Sequence, residues 1–181
     1  ARFEDMQGFA QRIYEEANRL MQLVEDVLQL SRLDEMKVMQ EKEWVSLRSL
    51  AESVCNSLLQ QAGKEEVELI ISGTDAKVYG ASQVLDEMIY NLVDNAIKYN
   101  RIGGRVEIHL EQREQEVLVT VRDTGIGIPQ EQQDKVFERF YRVDKSHSRE
   151  INGTGLGLAI VKHAAAYHNA RVELESQPGM G

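Results

Sequence analysis

Cysteine occurs once in the 181 residues, at Cys55. One thiol builds neither a disulfide framework nor a thiolate metal cluster, and the scarcity fits a reducing, cytoplasmic setting. Proline stands only at Pro129 and Pro178, so nothing of that kind interrupts the first third of the chain. No apolar run approaches the ~18 residues of a membrane-spanning helix, and no signal peptide opens the chain. Cations are also short: 21 Lys and Arg against 30 Asp and Glu, a net charge of −9. That balance excludes a non-specific nucleic-acid binder, which needs a basic surface. It leaves room for an anionic ligand met by local cations. The first residue is Ala1 rather than methionine, as expected of a piece of something longer. What remains is 42% hydrophobic and 28% charged, the range of a soluble globular protein with one ordinary domain and an appendage.

The most informative stretch is Asp123-Thr124-Gly125-Ile126-Gly127-Ile128. The alternating run from Val117 to Arg122 reads as a strand that ends on a lone carboxylate. Two glycines follow at a spacing of two, which lets backbone approach a ligand closely. A carboxylate at the floor of such a turn can accept a hydrogen bond from an exocyclic amine such as that of adenine. Alone, this is also the pattern of an ordinary hairpin end.

Taken in order, residues 1–34 form one helical pattern. Phe3, Met6, Ala10, Ile13, Ala17, Leu20, Val24, Val27 and Ser31 follow a 3-4-3-4 spacing, a heptad seam that one helix cannot bury on itself. A polar linker leads to a short strand near 43–47 and a helix over 48–62, with Leu50, Val54, Leu58 and Leu59 inward and Cys55 as a small core residue. Strands are expected near 67–71 and 77–80. A helix over 82–99 follows, capped by Ser82, with apolar pairs every four residues from Val84 to Ile97. Asn91, Asn95 and Lys98 share one face of it, beside Tyr99. Asparagine is a poor interior helix former, and two on one face mark a local cost that a site would explain. Residues 105–112 and 117–123 form a hairpin, Pro129 opens a helix over 130–138, and aromatics follow at Phe137, Phe140 and Tyr141. The polar stretch 143–152 reads as a mobile loop. It ends at Gly153-Thr154-Gly155-Leu156-Gly157, which runs into an apolar helix closed by Asn169, and 171–176 reads as a last strand. Glycines at a helix start expose N–H groups and the positive end of the helix dipole to an anion. The spacing is neither the dinucleotide fingerprint nor a P-loop.

Four features thus occur in fixed order: Asn91-x-x-x-Asn95-x-x-Lys98-Tyr99, Asp123-x-Gly125-x-Gly127, Phe137-x-x-Phe140-Tyr141-Arg142, and Gly153-x-Gly155-x-Gly157. Together they strongly resemble the sensor histidine kinases of bacterial two-component systems, within the wider group shared with gyrase, heat-shock protein 90 and MutL ATPases. The resemblance implies an α/β two-layer sandwich, a mixed sheet covered by three helices, preceded by a long helix of a dimerisation hairpin. Residues 1–36 would be the second helix of that hairpin, 37–42 a linker, and 43–181 the ATP-binding catalytic domain without its closing strand. It implies ATP and Mg2+ as ligands. Asp123 would take the adenine amino group, with Gly125, Gly127 and Ile128 shaping the base pocket. Asn95, with Asn91, would hold magnesium through amide oxygens, sensible for an ion that takes oxygen ligands and meets its charge on phosphates. Lys98, Tyr99 and Arg142 would meet phosphate oxygens. Residues 142–152 would form a lid closed by Gly153, Thr154, Gly155, Leu156 and Gly157.

In the hydrolysing relatives a glutamate stands one turn before the magnesium asparagine; here that position is Asn91. Water then lacks a base, and the γ-phosphoryl waits for a histidine nucleophile. None of His109, His147, His163 and His168 precedes an acidic residue and a nearby proline, so the phosphoacceptor is absent from the chain and autophosphorylation is not expected. The resemblance also implies partners: the first hairpin helix, a second copy in a homodimer, and the receiver domain of a response regulator. The parent protein would be membrane-anchored, with this part cytoplasmic. Ser82 and Asn169-Ala170 depart mildly from the family's usual residues. Two rivals carry other expectations: a serine kinase or anti-sigma factor of the same fold, and a dimerisation module with a vestigial nucleotide site.

Overall fold

A computed structural model describes residues 3–35, 41–114, 116–143, 154–179 and 181. Its centre is α3 (Ser82–Lys98), which buries apolar side chains on two flanks. Leu85, Ile89, Val93, Ala96 and Ile97 join a core with α2 (Leu47–Lys64) and a three-stranded sheet. Val84 faces the other way, onto Leu156, Ile160 and Ala164 of α5 (Gly157–Tyr167) and the residue before it. The doubled stripe of Val84/Leu85 through Ala96/Ile97 is the reason one helix serves both cores.

The sheet is mixed. β2 (Glu68–Gly73) runs parallel to β4 (Arg105–Gln112), and β5 (Val117–Asp123) returns antiparallel to it, with Val106 opposite Asp123 and Gln112 opposite Val117. Alternation decides the faces: Val106, Ile108 and Leu110 are wholly buried against the helices, while Glu107 and His109 point to the other side. Each such side chain contributes about 1.5–3 kcal/mol of burial. β1 (Glu43–Ser46) and β3 (Lys77–Gly80) form a separate antiparallel pair that brings the Trp44 and Tyr79 rings to 5.7 Å, tilted at 58°. With α2 and α3 on the sheet and α5 packed on α3, the architecture is the expected two-layer α/β sandwich.

Several local expectations are corrected. Leu59 is 56% exposed, because α2 turns its stripe through Leu47, Leu50, Ala51, Val54 and Leu58, and residue 59 lies a further 100° round. The cap of α3 is Ala81, and Ser82 is already helical; no side chain caps it, and the Ala81 N–H instead donates to His168 Nε2 at 3.1 Å. The helix after Pro129 is only α4 (Gln130–Gln133), since four polar residues offer no apolar face to dock and Val136 is buried from a turn. Residues 171–177 alternate in burial but pair in no ladder. Period-two patterning selects a face; only a neighbour in register makes a strand. Side chains hold this segment instead: Ser176 Oγ accepts from Ile128 N–H at 2.8 Å, and Gln133 Nε2 donates to Ser176 O at 2.8 Å. Asn169 does take the left-handed conformation, at φ 54°.

α1 (Phe3–Glu35) is one helix that packs against α5. The seam residues Met6, Ile13, Leu20, Val24 and Val27 are exposed along it. Of the linker, Glu41 and Lys42 are described, and the Lys42 ammonium lies 5.2 Å from the centre of the Tyr167 ring. Of the expected lid over 142–152, residues 144–152 lie outside the described residues, as does Gly153 after them.

Candidate nucleotide site

The two asparagines stand one turn apart on α3, and their side chains converge on the first residue of α5. A β-carbon at Gly157 would lie 3.0 Å from Asn95 Nδ2, 3.1 Å from Asn91 Oδ1 and 3.5 Å from Asn95 Oδ1. The Asn91 amide donates to Glu87 O at 2.8 Å, so its NH2 is committed and its oxygen turns toward Gly157. An amide oxygen therefore faces the amino end of a helix, where free N–H groups and the dipole favour an anion. Leu156, wholly buried, anchors that end in the α3–α5 core.

The Asp123 turn is built against the carboxyl end of α3, one turn beyond Asn95. Asp123 Oδ1 accepts from the Gly125 N–H at 2.8 Å, which fixes the carboxylate. The Ile126 N–H donates to Tyr99 O at 3.1 Å, one residue past the helix. Gly125 is buried so closely here that a β-carbon would stand 2.3 Å from Tyr99 O. Only glycine admits this wedge. Gly127 has φ 68° and Ile128 is tied to Ser176, so both ends of the turn are held.

The aromatic stretch is joined to the second glycine segment. Phe140 N–H donates to Gly155 O at 2.9 Å, and Phe140 itself sits at φ 64° with 57% of its surface exposed. A bulky residue in that conformation costs of order 1–3 kcal/mol and persists only when its surroundings enforce it. Tyr141 OH donates to Gln132 Oε1 at 3.2 Å. Thr154, Gly155, Tyr141 and Arg142 are half-buried around this junction.

Lys98 differs from expectation in detail. Its ammonium pairs with Asp94 Oδ2 at 2.6 Å, and Asp94 Oδ1 accepts from Gln61 Nε2 at 2.8 Å, which ties it to the α2 side. The expected phosphate role thus requires a change of partner. His109 Nδ1 lies 2.8 Å from Ser72 Oγ on the sheet, and His168 lies between α5 and Ala81. Both side chains are engaged in contacts within the fold. Tyr99 O, Ser176 and Asn100 were missed: the first acts through backbone, and the others gain their role only from contacts 24 to 48 residues away.

The profile of the "Histidine kinase-, DNA gyrase B-, and HSP90-like ATPase" family matches residues 80–181, which include every site residue above. The chain belongs to this family. Within the family, it is 37% identical to the sensor-like histidine kinase SenX3 of Mycolicibacterium smegmatis over 98% of its own length, and spans 47% of that relative. The solved structure of the mycobacterial sensor histidine kinase MprB superposes with a TM-score of 0.63 and 31% identity, covering 71% of this chain and 81% of that one. The histidine kinase ShkA, solved full-length in complex with AMPPNP, shares the fold: TM-score 0.78, 23% identity, 97% of this chain and 37% of that one.

Proposed function

We propose that the chain is the nucleotide-binding and kinase part of a sensor histidine kinase, which binds Mg-ATP and passes the γ-phosphoryl to a histidine. The observation that carries this is what the carboxyl half of α3 brings together. Asn91 and Asn95 face the start of α5, and Tyr99, just past the last residue of the same helix, supports the Asp123 turn. A nucleotide bridging them puts its base amine on Asp123, whose free oxygen is the acceptor, with Gly125, Gly127 and Ile128 beside the ring. Its phosphates then run toward Asn91, Asn95, Gly157 and the Thr154-Gly155-Leu156 backbone. Tyr99, Arg142 and Lys98, released from Asp94, complete the cationic and polar lining, with Gly153 next to Thr154.

The donor set suits magnesium: two neutral amides add oxygen ligands without opposing a carboxylate to the triphosphate. Magnesium held by Asn95 and Asn91 would neutralise phosphate charge. In the transfer, the bond between the γ-phosphorus and the bridging oxygen breaks, a phosphorus–nitrogen bond forms to imidazole, and ADP leaves. Asn91 cannot serve as a base for water, so hydrolysis is slow. The acceptor in this reading is a histidine outside these 181 residues, and the next acceptor is an aspartate of a response regulator. Residues 1–36 act as a dimerisation helix, 37–42 as a linker and 43–181 as the catalytic domain of a membrane-anchored homodimer. The rival readings draw no support from any particular contact.

Replacing Asp123 with Asn swaps an acceptor oxygen for a donor that meets the base amine head-on. ATP affinity by calorimetry falls by roughly 2–4 kcal/mol. Unchanged affinity of Asp123→Asn would remove the assignment.

A further inference from the structure

Asn100 stands two residues past α3 and uses every hydrogen-bonding position of its amide. Its Nδ2 donates to Ala96 O at 3.0 Å and to Arg105 O at 3.1 Å. Its Oδ1 accepts from Arg101 N–H at 3.0 Å and from Thr124 Oγ1 at 3.1 Å. Carbonyls only accept, so the amide has one orientation. Thr124 closes a ring: its hydroxyl accepts from Arg105 N–H at 3.0 Å, and its own N–H donates to Arg105 O at 3.2 Å. Gly104 leaves the room this needs, since a β-carbon there would stand 2.1 Å from Asn100 Oδ1 and 2.8 Å from Thr124 Oγ1.

The ring joins three pieces of chain at one point. Ala96 belongs to the last turn of α3, Arg105 begins β4, and Thr124 follows Asp123 at the end of β5. Asn100 also neighbours Tyr99, whose carbonyl receives Ile126 N–H and walls in Gly125. Two contacts of the Asp123 turn, Gly125 N–H to the carboxylate and Ile126 N–H to Tyr99 O, are therefore within two residues of the ring, while Gly179 N–H adds a third at Ile126 O, 2.7 Å away.

We propose that Asn100, with Thr124 as its partner, is the positioning residue for base selection: it fixes the Asp123 turn relative to the asparagine face of α3. The proposal rests on the nucleotide reading above and adds to it the residue that sets adenine preference. Asn100 touches no nucleotide in this arrangement. It acts because a hydrogen-bonded base tolerates little error in its acceptor's position, about 0.5 Å, and the supporting shell supplies that precision.

Two near-isosteric variants of the 181-residue chain test it. Asn100→Asp keeps both acceptors but loses both donated bonds, and Thr124→Val deletes the hydroxyl that closes the ring. The readout is the ratio of ADP to IDP affinity, measured at a temperature where melting shows each variant folded. IDP carries a carbonyl where adenine has its amine, so only ADP benefits from a well-aimed Asp123. General loosening of the fold weakens both nucleotides alike and leaves the ratio standing. The expected result is a fall of about tenfold in the ratio for each variant, chiefly through ADP, the size of one well-placed hydrogen bond. A ratio unchanged in folded variants, or equal losses for both nucleotides, overturns the proposal. If Asn100→Asp does not fold, Thr124→Val alone decides it by the same ratio. Failure of the underlying reading looks different: the unaltered chain itself then shows no ADP preference, and Asp123→Asn changes nothing.

Discussion

At the scale of single residues, the site depends on places where a side chain is missing. Gly157 separates Asn91 and Asn95 from the start of α5 by a gap that even a β-carbon would crowd to 3.0 Å. Gly157→Val forces two further methyls into that gap, and overpacking of this kind costs about 1–3 kcal/mol. The expected outcome is a lower melting temperature together with loss of nucleotide binding, because the displaced amides are the proposed magnesium ligands. Calorimetry on the folded variant checks this; full affinity would detach the asparagine face from the ligand. The neighbouring residues were readable in the sequence for a plain reason. Asp123, Asn91 and Asn95 are costly in a strand end or helix interior unless something uses them. Lys98 was only half readable. Its place on the asparagine face is fixed by helical spacing, but its long stem reaches Asp94 just as well, and that choice belongs to packing.

At the scale of elements, the carboxyl end of α5 is pinned to the amino end of α3 through one imidazole. His168 Nδ1 pairs with Ala164 O at 2.9 Å and Nε2 accepts from the Ala81 N–H, which requires the neutral ring with its proton on Nδ1. Gly80 lets the ring in, since a β-carbon there would stand 2.7 Å from His168 Cδ2. Burial lowers the His168 pKa from its usual 6.5, and the nearby Lys42 charge lowers it further, against the opposing pull of the Ala164 carbonyl. A pKa lower in the folded chain means the unfolded chain binds more protons in that range, so stability rises with pH. The contribution is complete above about 6.5 and is lost as pH falls through the lowered folded value. Melting temperature should therefore drop between about pH 7 and about pH 5, and His168→Gln should flatten the drop. An equal slope in the variant would assign the pH dependence elsewhere. The same scale explains the misread elements. Pro129 correctly marks a helix start, but Gln130–Gln133 lacks the apolar periodicity to extend it. Residues 171–177 have the alternation of a strand and no partner in register.

At the scale of the whole molecule, α1 stands apart from the sandwich with its seam open. Met6, Ile13, Leu20, Val24 and Val27 are all exposed at heptad spacing, while α5 covers only part of the helix. A row of this kind is stable when helices pair along it. The chain is expected to dimerise in a concentration-dependent way, and Leu20→Glu to shift sedimentation toward the monomer. Nucleotide affinity should stay as before, since Leu20 belongs to neither core cluster. A variant that sediments as the unaltered chain does would remove the seam as an interface.

The sequence by itself determined the class of the fold and the candidates for the nucleotide site. Period and punctuation are local properties: the doubled stripe of α3, the alternation of β4, and the glycines after Asp123 and before Ala159 are written in consecutive residues. Tertiary structure decided what those residues meet. That Gly125 wedges under Tyr99, that Asn91 turns its oxygen toward Gly157, and that Asn100 closes a ring with Thr124 are contacts across 24 to 66 residues of chain. No local pattern encodes such distances, because each is set by how the helices settle against the sheet and against one another.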